Sequence, residues 1–211
     1  MKLYYSPGAC SLSVHIALKE SGLDFEAIAA PTQTHKLADG TDYYAINPLG
    51  YVPLLVLDDA RQLHECAAIL QYVADQVPAK ALAPANGSFE RYKLQEWLNF
   101  IATELHKGFL PLFTPGMPDE AKALAKARLT SRLQWIDAEL NGKSFLMGDT
   151  FTVADAYLFV VQSWGKHVGV DIAALPALNA FAARVGERPA IQAALRAEGL
   201  PKQAVLPSRI V

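Results

Sequence analysis

The amino-acid sequence predicts a small α/β domain followed by an all-helical domain. Strand-like and helical segments alternate through residues 1–80. The stretch 81–88 contains proline, asparagine and glycine with little periodicity, which is typical of a linker. Residues 89–211 contain no convincing strand pattern and are rich in alanine and leucine. We therefore expect an α/β domain at 1–80 and a helical domain at 89–211.

The bulk composition is that of a compact globular protein. Of the 211 residues, 52% are hydrophobic and 19% are charged, and the net charge of −2 gives no support to nucleic-acid binding. No apolar run reaches the roughly 18–20 residues of a membrane span, and no signal-peptide pattern opens the chain. The two cysteines have neither CxxC nor zinc-ligand spacing, so we expect a reducing compartment and no metal. The sequence thus predicts a cytoplasmic protein without nucleic-acid or membrane partners.

The first elements have the order β-α-β. A short hydrophobic run at 2–5 predicts a strand, which a Ser-Pro-Gly sequence breaks. Apolar residues at helical spacing predict a helix at about 11–21, which Gly22 ends. A second strand candidate spans 25–30. This order implies parallel pairing of the two strands through a right-handed crossover.

The second half of the α/β domain has the order α-β-β-α. The polar segment 32–45 predicts irregular structure with a short helix. Strand candidates follow at 54–57 and 62–63, joined by a hairpin loop. A helix begins near Glu65 and has apolar residues at helical spacing. The whole domain is therefore expected to have the order β-α-β-α-β-β-α.

Cys10 lies where the first loop turns into the first helix. Backbone N–H groups and the positive end of the helix dipole meet at such a position and stabilise a thiolate. A free cysteine is also often a small buried hydrophobic residue. From the residues alone, a reactive and a structural role for Cys10 are equally supported.

The second domain is expected to consist of helices at about 89–113, 118–140, 153–167, 176–187 and 189–197. In the helix at 118–140 the apolar stripe is formed by Leu124, Leu129, Leu133, Ile136 and Leu140. Thr152 with Asp155 three residues later is a variant of the capping box, to which we assign a structural role.

Polar residues Asn99, Thr103 and His106 fall on one side of the helix predicted at 89–113. Most such faces simply contact solvent. Asn, Thr and His are, however, poorer helix formers than the Lys, Glu and Gln that are usual on exposed faces. Their presence indicates a site.

The chain resembles the cytosolic glutathione transferases, and in particular their bacterial beta class. The resemblance covers residue 1 to about residue 200 and rests on motifs that occur in order at the family's spacing. These motifs are Tyr5 to Leu12, Asn47 to Leu54, Glu65, Glu96 to Phe109, and Phe151 to Tyr157.

The resemblance implies a thioredoxin-like first domain, an all-α second domain and a homodimer. It implies conjugation of the glutathione thiolate to an apolar electrophile, in a cleft lined by aromatic residues such as Phe109, Phe113 and Trp164. Cys10 and His106 are the implied catalytic residues. The implied glutathione-binding residues are Cys10, Ser11, His35, Val52, Pro53, Glu65, Cys66, Asn99, Thr103, Glu104 and His106, with those at 99 and 103–104 approaching glutathione in the partner subunit.

Two positions are expected to hold the backbone and the ends of glutathione. The Val52–Pro53 bond resembles the cis-proline site of thioredoxin-like folds, where an extended peptide pairs with Val52 as an added strand. Glu65 at a helix N-terminus would take the ligand ammonium, while peptide N–H groups there hold a carboxylate. From the residues alone Glu65 would be an ordinary partner of the helix dipole, and it is the resemblance that favours ligand binding.

Two residues depart from the family pattern. Cys66 stands where Ser or another small residue is usual, and its backbone N–H still suits a carboxylate. Its side chain could be an oxidisable second thiol, but its apolar neighbours favour an unreactive, partly buried side chain. His35 stands where related proteins often have Lys, so it would hold the glycyl carboxylate less firmly.

Two further functions remain open. One is a glutathione-dependent disulfide reductase acting through Cys10. Because Cys10-Ser11-Leu12-Ser13 lacks a second cysteine, that chemistry would be monothiol. The other is a non-catalytic glutathione- or ligand-binding stress protein.

Overall fold

The computed structural model describes residues 1–201, so the predicted helical domain extends ten residues beyond the described part. The strands are β1 Lys2–Tyr5, β2 Glu26–Ala29, β3 Leu54–Val56 and β4 Gln62–His64. The α-helices are α1 Ser11–Ser21, α2 Cys66–Gln76, α3 Phe89–Phe100, α4 Lys107–Phe113, α5 Asp119–Leu140, α6 Val153–Ser163, α7 Gly165–Val168, α8 Pro176–Gly186 and α9 Pro189–Ala197.

The four strands form one mixed sheet in the order β2-β1-β3-β4. β1 pairs in parallel with β2, as the β-α-β order predicts, and antiparallel with β3, which in turn pairs antiparallel with β4. Leu54 and Leu55 are adjacent in β3 and both fully buried, so both faces of the sheet are covered there. The predicted fold class, a mixed α/β unit followed by helices, is confirmed.

The segment between β2 and β3 forms less helix than expected. It contains a single 3₁₀ turn, Tyr43–Ala45, capped by the carboxylate of Asp42, which accepts from the N–H of Tyr44. Tyr43 is fully buried and its hydroxyl donates to the carbonyl of Tyr51. One buried aromatic residue anchors this segment, in place of the apolar stripe that a longer helix needs.

The predicted helix at 89–113 is helical throughout but is not one regular α-helix. Between α3 and α4 lies a π-helical segment, Ile101–His106. The i→i+5 hydrogen bonds of a π-helix widen each turn, so the side chains beyond it are rotated relative to an α-helix. The predicted helix at 153–167 is likewise divided at Trp164 into α6 and α7.

α6 is the central helix of the helical region, and every residue from Val153 to Gln162 is buried. Its start confirms the predicted capping box. Asp155 accepts hydrogen bonds from the N–H of Leu146 at 2.8 Å, the N–H of Thr152 at 2.7 Å and the hydroxyl of Thr152 at 2.9 Å. Burial raises the pKa of this carboxyl to about 6.

The predicted stripe of α5 is correct except at its first residue. Leu129, Leu133, Ile136 and Leu140 are buried, whereas Leu124 is 74% exposed. The buried residues follow the spacing of one helix face. Leu124 precedes Leu129 by five residues, which turns it roughly 140° around the helix. The inclusion of Leu124 in the stripe was wrong.

Among residues 1–201, every helix is too short or too polar to cross a lipid bilayer.

Candidate active site

Cys10 is the N-cap residue of α1, as the sequence predicts. Its Sγ donates to the carbonyl oxygen of Val52 at 3.3 Å, and the residue is only 8% exposed. Within residues 1–201 its side chain makes no capping hydrogen bond to the helix. In the first turn of α1 the N–H of Leu12 donates to the Ala9 carbonyl and that of Ser13 to the Cys10 carbonyl, so the N–H of Ser11 is the one left beside the thiol.

The surroundings of Cys10 favour its thiolate. A hydrogen bond with the Cys66 side chain and the charge of His106 lower the pKa of Cys10 well below its usual value, although burial opposes this. A hydrogen bond from the N–H of Ser11 acts in the same direction. Cys10 is thus both buried and predisposed to ionise, which combines the two roles that the sequence left open.

The Val52–Pro53 bond is cis, which confirms the prediction from the resemblance. The Val52 carbonyl accepts from Cys10, while the N–H of Val52 has no hydrogen-bond partner within residues 1–201. A free N–H beside a thiol is a place where an extended peptide can pair.

Glu65 is the N-cap residue of α2 and is exposed. Its backbone has φ 66° and ψ 124°, a left-handed conformation that is rare for a residue with a side chain. Such strain costs on the order of 1–3 kcal/mol and is common at binding sites. In the described part of the chain the Glu65 carboxylate makes no capping hydrogen bond to the N–H groups at the start of α2.

Cys66 is more buried than the sequence predicts. The residue is 4% exposed, and its Sγ donates to the carbonyl oxygen of Cys10 at 3.6 Å. Burial and the neighbouring Cys10 raise the pKa of Cys66 well above its usual value. Cys66 therefore favours the protonated thiol, and it lies directly beside Cys10, whose surroundings favour the thiolate.

His106 approaches the cysteines from the end of the π-helical segment. Its Nδ1 is hydrogen-bonded to the hydroxyl of Tyr157 in α6 at 2.7 Å. The rings of Tyr157 and Trp164 both meet the His106 ring edge to face. The sequence did not assign a role to Tyr157, although it closes one of the motifs; only the packing of α6 reveals its contact.

The predicted face of Asn99, Thr103 and His106 is not continuous. Asn99 and Thr103 are exposed, and the Thr103 hydroxyl donates to the Asn99 carbonyl at 2.9 Å. His106 turns inward because the wider π turn separates it from Thr103. Glu104 forms ion pairs with Arg128 and Arg132.

Three residues that were predicted to contact a ligand have fully buried side chains. The Ser11 hydroxyl donates to the Ser6 carbonyl and accepts from the Ser6 N–H, so this side chain braces the loop, and a contact of Ser11 with glutathione stays a prediction. Phe109 and Trp164 are also fully buried and belong to the core, so they do not line a cleft. Apolar aromatic residues alone do not distinguish core from pocket.

Trp164 instead reaches back to the loop that precedes Cys10. Its Nε1 donates to the carbonyl of Gly8 at 3.1 Å, and the carboxylate of Glu198 accepts from the N–H of Gly8 at 3.0 Å. Glu198 also bonds Nδ1 of buried His15 at 2.9 Å. Sequence analysis missed this pair because His15 and Glu198 lie 183 positions apart.

His35 lies in the loop before the 3₁₀ turn and is half-buried. Its ring stacks on Tyr44 with 4.4 Å between centroids, and its backbone has φ 51°. Its predicted contact with the glycyl carboxylate stays a prediction.

In the part of the chain that the structure describes, no group of three or more His, Cys, Asp or Glu side chains is arranged to hold a metal ion.

Comparison with family models matches both parts of the chain. Residues 8–76 match the glutathione S-transferase N-terminal domain, and residues 100–189 match the glutathione S-transferase C-terminal domain.

Individual proteins are similar over nearly the whole length. Glutathione S-transferase GstA of Escherichia coli O157:H7 is 49% identical, over 95% of this chain and all of the relative. A sphingomonad glutathione S-transferase complexed with glutathione is 50% identical with a TM-score of 0.91, and the bacterial beta-class glutathione S-transferase of Sphingomonas chungbukensis is 49% identical with a TM-score of 0.92. Each comparison covers 95% of this chain and the whole of the other.

Proposed function

The chain belongs to the glutathione S-transferase family, as its motifs predict, and on that premise we propose that it conjugates the glutathione thiolate to apolar electrophiles. The observation that supports this most is the position of Cys10 at the open N-terminus of α1, opposite Val52. Groups that favour the Cys10 thiolate also favour a ligand sulfur bound beside it.

The peptide backbone of glutathione is proposed to pair with Val52. The N–H of Val52 is available in the described part of the chain, and the cis Val52–Pro53 bond lies beside Cys10. An extended cysteinyl unit would pair there as an added strand, with its sulfur next to Cys10.

The γ-glutamyl end is proposed to lie at the start of α2. The exposed carboxylate of Glu65 suits the ligand ammonium, and the N–H of Cys66 and the following residue suit its carboxylate. The left-handed backbone of Glu65 supports this assignment, because the fold keeps a strained conformation there.

His106 is proposed to stabilise the sulfur, and its hydrogen bond to Tyr157 holds the ring in position. His35 is proposed to contact the glycyl carboxylate. Asn99, Thr103 and Glu104 are proposed to approach glutathione bound in a partner subunit, which requires a homodimer. Asn99 and Thr103 are exposed, as such a contact needs, whereas Glu104 already pairs with two arginines.

A second activity, glutathione-dependent disulfide reduction, is favoured by the lowered pKa of Cys10. A thiolate at this position attacks a mixed disulfide and passes through a covalent Cys10–glutathione intermediate. We further propose a cytoplasmic location and a division of the chain at 81–88, with no metal in the reaction. A non-catalytic binding protein is the remaining alternative.

The test compares the purified wild type with Cys10→Ala. Conjugation is followed with chlorodinitrobenzene, and reduction with a small mixed disulfide of glutathione. We expect wild type to perform both reactions; the variant should lose reduction and keep part of conjugation, because His106 and α1 still stabilise the sulfur. Retention of wild type on immobilised glutathione without turnover in either assay would favour the binding protein and contradict the proposal.

A further inference from the structure

The chain has two cysteines, and the fold brings them together from separate helices. Cys10 occupies the N-cap position of α1, and Cys66, 56 positions further along, is the first residue of α2. Both are free thiols. The Sγ of Cys66 lies 3.6 Å from the carbonyl oxygen of Cys10, so the second sulfur is in contact with the residue that carries the first.

We propose that Cys66 is a resolving cysteine, which converts a mixed disulfide of Cys10 and glutathione into a Cys10–Cys66 disulfide. The proposal rests on the proposed function in one respect, since glutathione must reach Cys10. It replaces the monothiol chemistry expected from Cys10-Ser11-Leu12-Ser13. The second thiol comes from α2, where a CxxC search along the sequence does not find it.

Contacts around the two sulfurs support a short path between them. Disulfide formation needs Cβ atoms within roughly 3.5–4.5 Å, so the thiols must already be neighbours. The Cys66 thiol contacts the main chain of Cys10, and the two side chains are near enough to shift each other's pKa. α1 and α2 pack directly against each other, which holds their first residues in place.

The two thiols are both buried but face different groups. Cys66 is 4% exposed and Cys10 is 8% exposed. The Cys66 thiol lies against the main chain of Cys10, within the hydrophobic core. Cys10 instead faces Val52, where the peptide site is proposed. A disulfide arriving from solvent therefore meets Cys10 first, and Cys66 reacts only within the molecule.

The opposite pKa shifts of the two cysteines support the same order of reaction, with Cys10 first and Cys66 second. Cys10 favours the thiolate and is the attacking group, whereas burial and the adjacent Cys10 keep Cys66 protonated. Once the Cys10 sulfur is bonded to glutathione, it carries no negative charge. Its contribution to raising the pKa of Cys66 is then lost, so that pKa falls when there is a mixed disulfide to resolve, while burial continues to raise it.

The reaction balances with glutathione disulfide as the only oxidant. In the first step the Cys10 thiolate attacks, the Cys10–glutathione S–S bond forms and one glutathione thiolate leaves. In the second step Cys66 attacks the Cys10 sulfur, the Cys10–Cys66 bond forms and a second glutathione leaves, taking up the proton that Cys66 loses. Two cysteine thiols are oxidised, and one glutathione disulfide becomes two glutathiones.

The experiment uses reduced full-length wild type, Cys66→Ser and Cys10→Ser. Each is incubated with glutathione disulfide, quenched in acid, and analysed by intact mass and peptide mapping. We expect wild type to lose the mass of two hydrogen atoms and to yield a linked Cys10–Cys66 peptide. Cys66→Ser should retain one glutathione on Cys10 at an occupancy about tenfold above wild type. Cys10→Ser should acquire neither, because Cys66 is buried and favours the protonated thiol.

Two outcomes would overturn the proposal in distinguishable ways. Equal glutathione adducts on Cys10 in wild type and Cys66→Ser, without an internal disulfide, would reject Cys66 as resolving cysteine and leave the proposed glutathione site intact. No adduct and no disulfide in either protein would reject the proposal together with the mixed disulfide at Cys10. The internal disulfide is read in wild type, so a folding defect in a variant does not obscure it; circular dichroism checks the variants.

Discussion

Two helix N-termini in this molecule are built in opposite ways. At α6 the carboxylate of Asp155 lies in the first turn and accepts from three donors on Leu146 and Thr152, while the N–H of Val153 donates to the Leu82 carbonyl, so this terminus is closed by the protein itself. At α1 the N-cap is Cys10, whose side chain points instead at the Val52 carbonyl and makes no capping bond within residues 1–201. The closed terminus lies in the core of the helical region, whereas the open one lies at the proposed glutathione site.

The difference shows how the same backbone feature serves stability or chemistry. Unpaired N–H groups at a helix start attract an anion. A built-in carboxylate satisfies that requirement permanently and stabilises the fold. A helix N-terminus without such a carboxylate keeps the positive end of its dipole available to a thiolate or a bound ligand. We therefore expect changes at α6 to affect folding, and changes at α1 to affect reactivity.

The largest effect is expected from Asp155→Ala. It leaves buried donors on Leu146 and Thr152 unsatisfied, which costs about 1–3 kcal/mol each, so we expect the free energy of unfolding to fall by on the order of 3–5 kcal/mol. Urea denaturation measures it. Asp155→Asn, which keeps one acceptor oxygen, is the matched control and should lose less. Equal losses in both variants would show that hydrogen bonding at this cap is not the cause.

The pH dependence of Asp155 is expected to be nearly as large. Its pKa is raised from 3.8 to about 6, so the folded state favours the protonated form. The corresponding stability is fully present below about pH 4 and is lost as the pH rises towards about 6, by about 3 kcal/mol in total. Unfolding of wild type relative to Asp155→Asn across this window isolates the effect. A constant difference would contradict the shifted pKa.

At α1 the expected effect is on the ionisation of Cys10. The hydrogen bond with Cys66 is the largest influence that lowers the pKa of Cys10, ahead of the charge of His106. Cys66→Ala should therefore raise the Cys10 pKa more than His106→Phe does. The midpoint of iodoacetamide alkylation against pH, assigned by peptide mapping, measures both.

Cys66→Ser is the matched control for that measurement, because its hydroxyl still donates and the midpoint should stay closer to that of wild type. A larger shift in His106→Phe than in Cys66→Ala would instead make the histidine charge the main influence on the Cys10 thiolate.

The smallest effect is expected at α3, whose N-terminus is closed by a half-buried serine. The Ser88 hydroxyl accepts from the N–H of Arg91 at 3.1 Å. Ser88→Ala should reduce the free energy of unfolding by about 1 kcal/mol and leave conjugation at the wild-type rate. Both variants remove a helix cap. A loss of unfolding free energy as large as that of Asp155→Ala would therefore show that burial does not determine how much a cap stabilises the fold.

The sequence predicted the elements and the cap because these depend on local periodicity and spacing. The strands, the Gly22 ending of α1 and the Thr152–Asp155 box could all be predicted from neighbouring residues. The π-helical segment could not, since its widened turn depends on packing that local composition does not encode. That segment is also why the face of Asn99, Thr103 and His106 is divided.

The site was predictable in its residue types and less so in their contacts. Cys10, Val52 and Glu65 occur in recognisable motifs, but the burial of Ser11 and Trp164 follows from distant packing partners. The approach of Cys66 to Cys10 links residues 56 positions apart, which no local pattern indicates.

The most direct test of the open α1 terminus is protection of Cys10 by a glutathione analogue that has no free thiol. In Cys66→Ser, Cys10 is the chain's remaining cysteine, so its alkylation by iodoacetamide can be followed without ambiguity. We expect S-methylglutathione to slow alkylation at least tenfold in a saturable manner, because the ligand covers the sulfur. If calorimetry shows that the analogue binds but the alkylation rate is unchanged, glutathione binds elsewhere. That result would contradict the position of Cys10 next to the bound ligand.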